Sequence, residues 1–302
     1  MWVSFGVVAA SAMAIDLGVL HRKAHRISLK EALAESAGWI GLALAFNIWI
    51  YISMGHQAGL EFLTSYVVEK SLSIDNIFVF LLIFQGLAVP APSQHKVLFY
   101  GVAGALVMRA IFVFAGVALL SRFHLALYVF GAILLLTAVR MLLPGGHKVR
   151  PERNWLVRAA RRVVPVTPEF KGESFFVRTD GRWNATPLLL ALIAVEATDI
   201  VFAVDSVPAV LAITRDTFIA YSSNVFAILG LRALYFALAN LLPRIRFLRP
   251  ALAAILLFTG AKMLASDWIH VPVGVSLAVI VAVMALMVGA SVLWPSKKRR
   301  AA

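Results

Sequence analysis

Runs of about twenty apolar residues recur along almost the whole chain, and that is the length needed to cross a bilayer core of about 30 Å. No other feature constrains the fold as strongly. Of the 302 residues, 61% are hydrophobic and 14% are charged, whereas a soluble domain is nearer a quarter charged. The sequence therefore predicts an all-α, polytopic membrane protein in which residues 1–302 form a single transmembrane domain. There is no cysteine, which removes disulfides and thiolate metal sites from consideration. In a membrane protein the net charge of +13 is informative through its placement.

Nine spans are expected, at about 2–20, 34–54, 63–88, 97–120, 125–143, 187–213, 217–242, 250–265 and 271–294. If the N-terminus lies outside, the inner segments hold 21 of the 28 Lys and Arg residues and the outer segments hold 3. This asymmetry predicts an N-out, C-in orientation. The segment 144–186 is polar and basic, with Lys148, Arg150, Arg153, Arg158, Arg161, Arg162, Lys171, Arg178 and Arg182. It is expected to be a solvated cytoplasmic loop. The tail "KKRR" at 297–300 is expected to anchor the inner face, and no nucleic-acid partner is expected. Met1–Leu20 is followed by its cationic cluster instead of being preceded by it. That order predicts a retained first helix and not a cleaved signal peptide.

Two triplets of spans resemble one another. "GAILLLTAVRML" (131–142) and "AAILLFTGAKML" (253–264) share the string ILL-T and the ending ML. "MRAIFVFA" (108–115) resembles "LRALYFAL" (231–238), which sets Arg109 against Arg232, and "DNIFVF" (75–80) resembles "DIVFAV" (199–204). Spans three to five thus match spans six to eight. The third runs inward and the sixth outward, so the expectation is an inverted repeat with a substrate site near the midplane.

Five of the fifteen acidic residues lie well inside spans: Glu69 and Asp75 in the third, and Glu196, Asp199 and Asp205 in the sixth. A carboxylate at bilayer depth costs about 2.5–3.5 kcal/mol on insertion scales. Five of them on the first helices of the two triplets exceed what pairing with Arg109, Arg232 and Lys70 requires, and an ion or proton site is expected. On an ideal helix Asp75 is rotated by about 240° from Glu69 and displaced by about 9 Å, so the pair cannot chelate one ion. Glu196 and Asp199 share a face. Pro208 should kink the sixth helix and free a carbonyl. Ser71, Ser73 and Asn76 give the third helix comparable polar freedom, and Ser206 stands beside Asp205. The expectation is a composite site shared by the two helices.

All seven histidines lie in loops or near helix ends. The donors at depth are carboxylate, amide, hydroxyl and carbonyl oxygen, a set suited to Mg²⁺, Ca²⁺ or Mn²⁺ more than to Zn²⁺ or Cu⁺. No G-x-G-D string, no Ser/His pair at depth and no G-x-x-x-x-G-K loop occurs. Neither an intramembrane enzyme nor a nucleotide-driven pump is expected.

"EKSLSIDNIFVF" (69–80) and "EATDIVFAVDSVPAVLAIT" (196–214) resemble the paired signature motifs of the TerC family of integral membrane proteins, and most of all its Alx-type members. "SNVFAILGLRALYF" and "SFFVRTDG" are similar to that pattern as well. The resemblance implies an inner-membrane protein of manganese homeostasis, chiefly Mn²⁺ efflux. It also implies that Glu69, Asp75, Glu196, Asp199 and Asp205 handle the metal; from their places in the spans, Ser73, Asn76, Ser206, Pro208, Lys70, Arg109 and Arg232 are expected in support. No permanently bound cofactor is expected; Mn²⁺ is cargo. Protons are the natural counter-ion, since buried carboxylates hold protons and release them when a cation binds. The alternative is a role without transport, as a membrane partner that delivers metal to exported proteins or a metal and tellurite stress scaffold.

Overall fold

The computed structural model describes residues 1–15, 28–143, 165–179, 182–238, 247–269 and 271–293. These residues are mostly helical. In chain order the elements are α1 (Trp2–Ile15), α2 (Leu29–Met54), α3 (His56–Gly86), α4 (Ala91–Arg122), α5 (Leu125–Leu142), β1 (Phe176–Thr179), β2 (Arg182–Ala185), α6 (Pro187–Leu211), α7 (Thr217–Leu229), α8 (Leu231–Leu238), α9 (Leu248–Leu264) and α10 (Val273–Leu293). Most of the basic segment (144–164), the residues 16–27 and the tail from 294 onward lie outside the described residues.

Helix ends follow local chemistry. At the start of α2 the Ser28 hydroxyl accepts from the Glu31 N–H while the Glu31 carboxylate accepts from the Ser28 N–H. This reciprocal box satisfies two free donors and starts the helix five residues before the expected position. Gly55, at φ 93°, links α2 to α3 through a backbone conformation that side chains disfavour. Asp216 caps α7 by accepting from the Phe218 and Ile219 N–H groups.

Helices occupy the neighbourhood of all nine expected spans, but fewer meet the requirements for crossing. Among the described residues, α2, α4, α5, α6 and α10 are long and apolar enough, and the pair α7–α8 makes a sixth if taken as one span. The α1 helix has 14 described residues and α9 has 17. The α3 helix is long enough, at 31 residues, but carries Glu61, Glu69, Lys70 and Asp75. Length and apolarity thus give five or six spans, against the nine expected.

One expectation about irregularity needs correction. The expected single helix 217–242 is broken: α7 and α8 meet at Gly230 with a bend of 41°. Conversely, α6 runs without interruption through Pro208 to Leu211. Pro208 lies in the final turn, where the helix ends in any case. The missing N–H still leaves the Val204 carbonyl without its helical donor. The expected loop 144–186 also contains a two-stranded antiparallel hairpin, with Phe176 opposite Ala185 and Arg178 opposite Trp183. It adjoins α4, where the Lys96 ammonium lies 5.2 Å from the centre of the Phe175 ring and donates to the Glu173 carbonyl at 2.8 Å.

The α3 helix packs against α6 and α7, α4 packs against the same two, and α5 lies along α9. At that last crossing Gly131 faces Gly260. A Cβ on Gly131 would lie 3.2 Å from the Gly260 carbonyl oxygen, and one on Gly260 would lie 3.0 Å from that of Gly131. Small residues permit such close backbone approach, which supports helix packing where no hydrophobic drive exists between helices. A second core is aromatic. Phe5, Phe46, Phe62, Phe218 and Phe226 join α1 to α2, α3 and α7.

Candidate functional site

The four helices α3, α4, α6 and α7 meet around one side chain, Arg109, whose accessibility is 0%. Its Nη1 donates to Glu69 Oε1 at 2.5 Å, to Ser206 Oγ at 2.5 Å and to Asn224 Oδ1 at 3.4 Å. Its Nη2 stands 3.6 Å from Asp199 Oδ1. Asn224 Nδ2 donates in turn to Glu69 Oε2 at 3.3 Å. Glu69 and Asp199, from the first helices of the two sequence triplets, are thereby brought to the two terminal nitrogens of a single guanidinium. All of these side chains are buried. Each charge is tolerable at this depth only because partners surround it.

The cluster is not fully bonded. Among the described residues, Arg109 Nε, Arg109 Nη2 and Asp199 Oδ2 have no hydrogen-bond partner, and neither does the buried hydroxyl of Ser73. A guanidinium has five N–H donors, and buried polar atoms are satisfied in the large majority of cases. Orphans of both signs beside one another mark a place where a further partner can enter.

Ser206 links this cluster to a cavity of about 200 Å³ between α3, α5, α6 and α9. Asn76, Thr137, Thr198, Asp205 and Ser206 supply its polar lining, and Leu72, Val79, Leu252 and Leu256 are among its apolar lining residues. Thr137 Oγ1 donates to Asp205 Oδ1 at 2.7 Å. With water taking up about 30 Å³ per molecule, the cavity has room for an ion and part of its hydration shell. Its polar side chains offer carboxylate, amide and hydroxyl oxygens, which suit hard divalent cations, and Met141 adds a thioether to an otherwise apolar wall.

The expected site residues thus fall into groups. Glu69 and Asp199 meet at Arg109. Asp205, Asn76 and Ser206 face the cavity. Glu196 packs against Gly104 of α4, where a Cβ would collide with its carboxylate, and stays within electrostatic reach of Asp199 on the same helix. Asp75 lies on α3 between Leu72 and Asn76 of the cavity wall, and its side chain is outside the described atoms. Among the described residues no three Asp, Glu or His side chains converge as a metal site. Arg232 is buried at the start of α8, and Pro208 is buried in α6.

Lys70 has a different role from the carboxylate pairing considered in the sequence. Its ammonium donates to the Ala227 carbonyl at 3.1 Å and lies against Gly230, where a Cβ would come within 2.9 Å of Nζ. It therefore caps the C-terminal end of α7 at the break, satisfying a carbonyl that the interrupted helix leaves free and meeting the negative end of the helix dipole. Lys70→Met should remove this cap and cost about 1–3 kcal/mol, the price of an unmet buried acceptor. A lowered apparent Tm in detergent would register it, and an unchanged Tm would contradict the capping role.

Three contributors were not singled out from the sequence. Gly104 carries no local signal, whereas Asn224 had one, as a polar residue in the quoted string SNVFAILGLRALYF. Thr137 had one, as the single polar residue of the repeated ILL-T string.

The family model for the integral membrane protein TerC family matches residues 54–300. An uncharacterised membrane protein of Myxococcus xanthus is 48% identical over 293 residues, which is 97% of this chain and 92% of the relative. A protein of Escherichia coli K12, whose name describes it as a candidate membrane-bound redox modulator, Alx, is 45% identical over 311 aligned positions, covering 99% of this chain and 97% of the relative. An uncharacterised membrane protein of Rickettsia bellii is 38% identical, with 97% of each chain covered. No solved structure matches the chain. The motifs at 69–80 and 196–214 and the match over residues 54–300 agree: this chain is a member of the TerC family of integral membrane proteins.

Proposed function

We propose that the protein is an inner-membrane secondary transporter that exports Mn²⁺, with metal passing between α3 and α6. The observation that carries this reading is the meeting of Glu69 and Asp199 at Arg109, joined through Ser206 to an oxygen-lined cavity that holds Asp205. Charges at this depth have a large desolvation cost, and a structural ion pair needs neither the orphan atoms nor the adjoining cavity. The choice of manganese rests on the family resemblance; the oxygen donors admit it.

The reading includes nine membrane passes, N-out and C-in, arranged as an inverted repeat. The packing supports that arrangement. Exchange of the triplets turns the contact of α3 with α7 into that of α6 with α4, and it turns the pair α5–α9 into itself. Gly131 and Gly260 also touch reciprocally. The break at Gly230 then falls in one triplet only, where a discontinuous helix is expected to border the substrate path.

The relative's name suggests redox modulation as a second reading. With no cysteine in this chain, a redox effect could not run through its own thiols. It would follow from the cellular level of a redox-active metal, which the transport reading already supplies.

Cells that lack an endogenous exporter and express this protein should hold less manganese and survive higher external Mn²⁺ than cells carrying an empty vector. Equal manganese content and equal sensitivity at verified expression would contradict the proposal.

A further inference from the structure

We propose that Arg109 is a tethered substitute for the transported cation: its guanidinium holds Glu69 and Asp199 when no metal is bound, and it is displaced when a divalent ion takes those oxygens. The inference rests on the transport reading above and adds what the carrier does between one ion and the next. A carrier that binds its cargo with buried carboxylates must reset with the site empty. Two bare carboxylates would then move through low-dielectric surroundings, at a high cost. A cation built into the protein removes most of that cost.

The geometry fits displacement better than a permanent ion pair. Arg109 reaches Glu69 on α3 and Asp199 on α6, the two helices between which metal is proposed to pass. It comes from a third helix, α4, so it can withdraw without separating the other two. One guanidinium against two carboxylates leaves one net negative charge when all are ionised, whereas a divalent ion neutralises both. Its Nε and the facing Asp199 Oδ2 lack hydrogen bonds among the described residues, and Nη2 meets Asp199 only at 3.6 Å, longer than a hydrogen bond, so the Asp199 side of the pair is the looser one. The other nearby cation, Lys70, is engaged at the Ala227 carbonyl. Ser206 offers the guanidinium a partner on the cavity side of the cluster.

The test separates two modes of flux in liposomes containing the purified protein. In exchange mode, equal Mn²⁺ on both sides with radioactive Mn²⁺ on one, the carrier moves only when loaded. In net mode, Mn²⁺ on one side, it must also return empty. Arg109→Gln should lower net flux by about tenfold or more, the empty site now carrying unpaired buried charge, while exchange persists. Arg109→Lys should recover much of the net flux. Equal loss of both modes in a well-folded Arg109→Gln protein, or loss of neither, would overturn the proposal. Absence of wild-type flux in both modes would instead remove the transport reading beneath it. A second measurement needs no variant. In wild-type protein carrying ¹³C-guanidino arginine, Mn²⁺ binding should shift a guanidinium infrared band, and Arg109→Lys should abolish the shift. Mn²⁺ binding without any arginine shift would overturn the proposal even if Arg109→Gln failed to fold.

Discussion

Asp199→Asn should abolish manganese export, and Asp75→Asn should do the same. Each change removes an anionic oxygen while preserving shape, so neither leaves a cavity of the kind that destabilises a core. Asp199 acts at the Arg109 cluster, and Asp75 sits on the segment of α3 that borders the cavity. If both serve one path, the double variant should be little worse than either single one, because residues that act as a unit are non-additive. Asp267→Asn is the control. Asp267 is an exposed residue that accepts from the Tyr128 hydroxyl and pairs with His124 at 3.0 Å. These two partners hold its carboxyl below the usual aspartate range. It lies far from the cluster in chain order, beyond the end of α9, and should export normally at equal expression. Cellular manganese accumulation in the four strains is the readout. Wild-type export by both single variants would mean that the carboxylates serve only as partners of the buried cations.

The second large effect concerns stability. Glu69→Gln should destabilise the protein by about 1–3 kcal/mol, because it removes a charge-assisted hydrogen bond from the buried guanidinium while Asp199 still balances its charge. Glu69 accepts from both Arg109 and Asn224, so the loss reaches α3, α4 and α7 together. The double variant Glu69→Gln, Arg109→Gln should be less stable than Glu69→Gln alone, since Asp199 is then left buried without a cation. Thermal unfolding in detergent compares the two. A double variant more stable than the single one would show that Asp199 does not depend on the guanidinium.

Composition and periodicity made the membrane class and most helix positions legible, because a helix that crosses hydrocarbon must be apolar over about twenty residues. The same logic failed where helices are interrupted. Pro208, expected to kink the sixth helix and free a carbonyl, lies in the last turn of α6, where the chain leaves the helix anyway and the Val204 carbonyl loses its donor. The real break is at Gly230. Glycine alone does not announce a break, since it is tolerated in membrane helices. What stabilises the interruption is Lys70, some 160 residues away in sequence and joined to Ala227 only by the fold. The five carboxylates stood out because each is costly at depth. Their division was not legible, because Glu69 and Asp199 are brought together by an arginine on a third helix, and Glu196 settles in the space that Gly104 leaves. The oxygen of Thr137 entered through tertiary contact with Asp205, which no spacing rule covers.

The most direct test of the central claim is Mn²⁺ flux into liposomes whose only protein is this chain, compared with liposomes carrying Asp199→Asn. The account predicts saturable wild-type uptake, inhibited by other hard divalent ions, and background uptake for the variant. Wild-type liposomes that take up no more Mn²⁺ than protein-free ones, with the protein folded and correctly inserted, would contradict it.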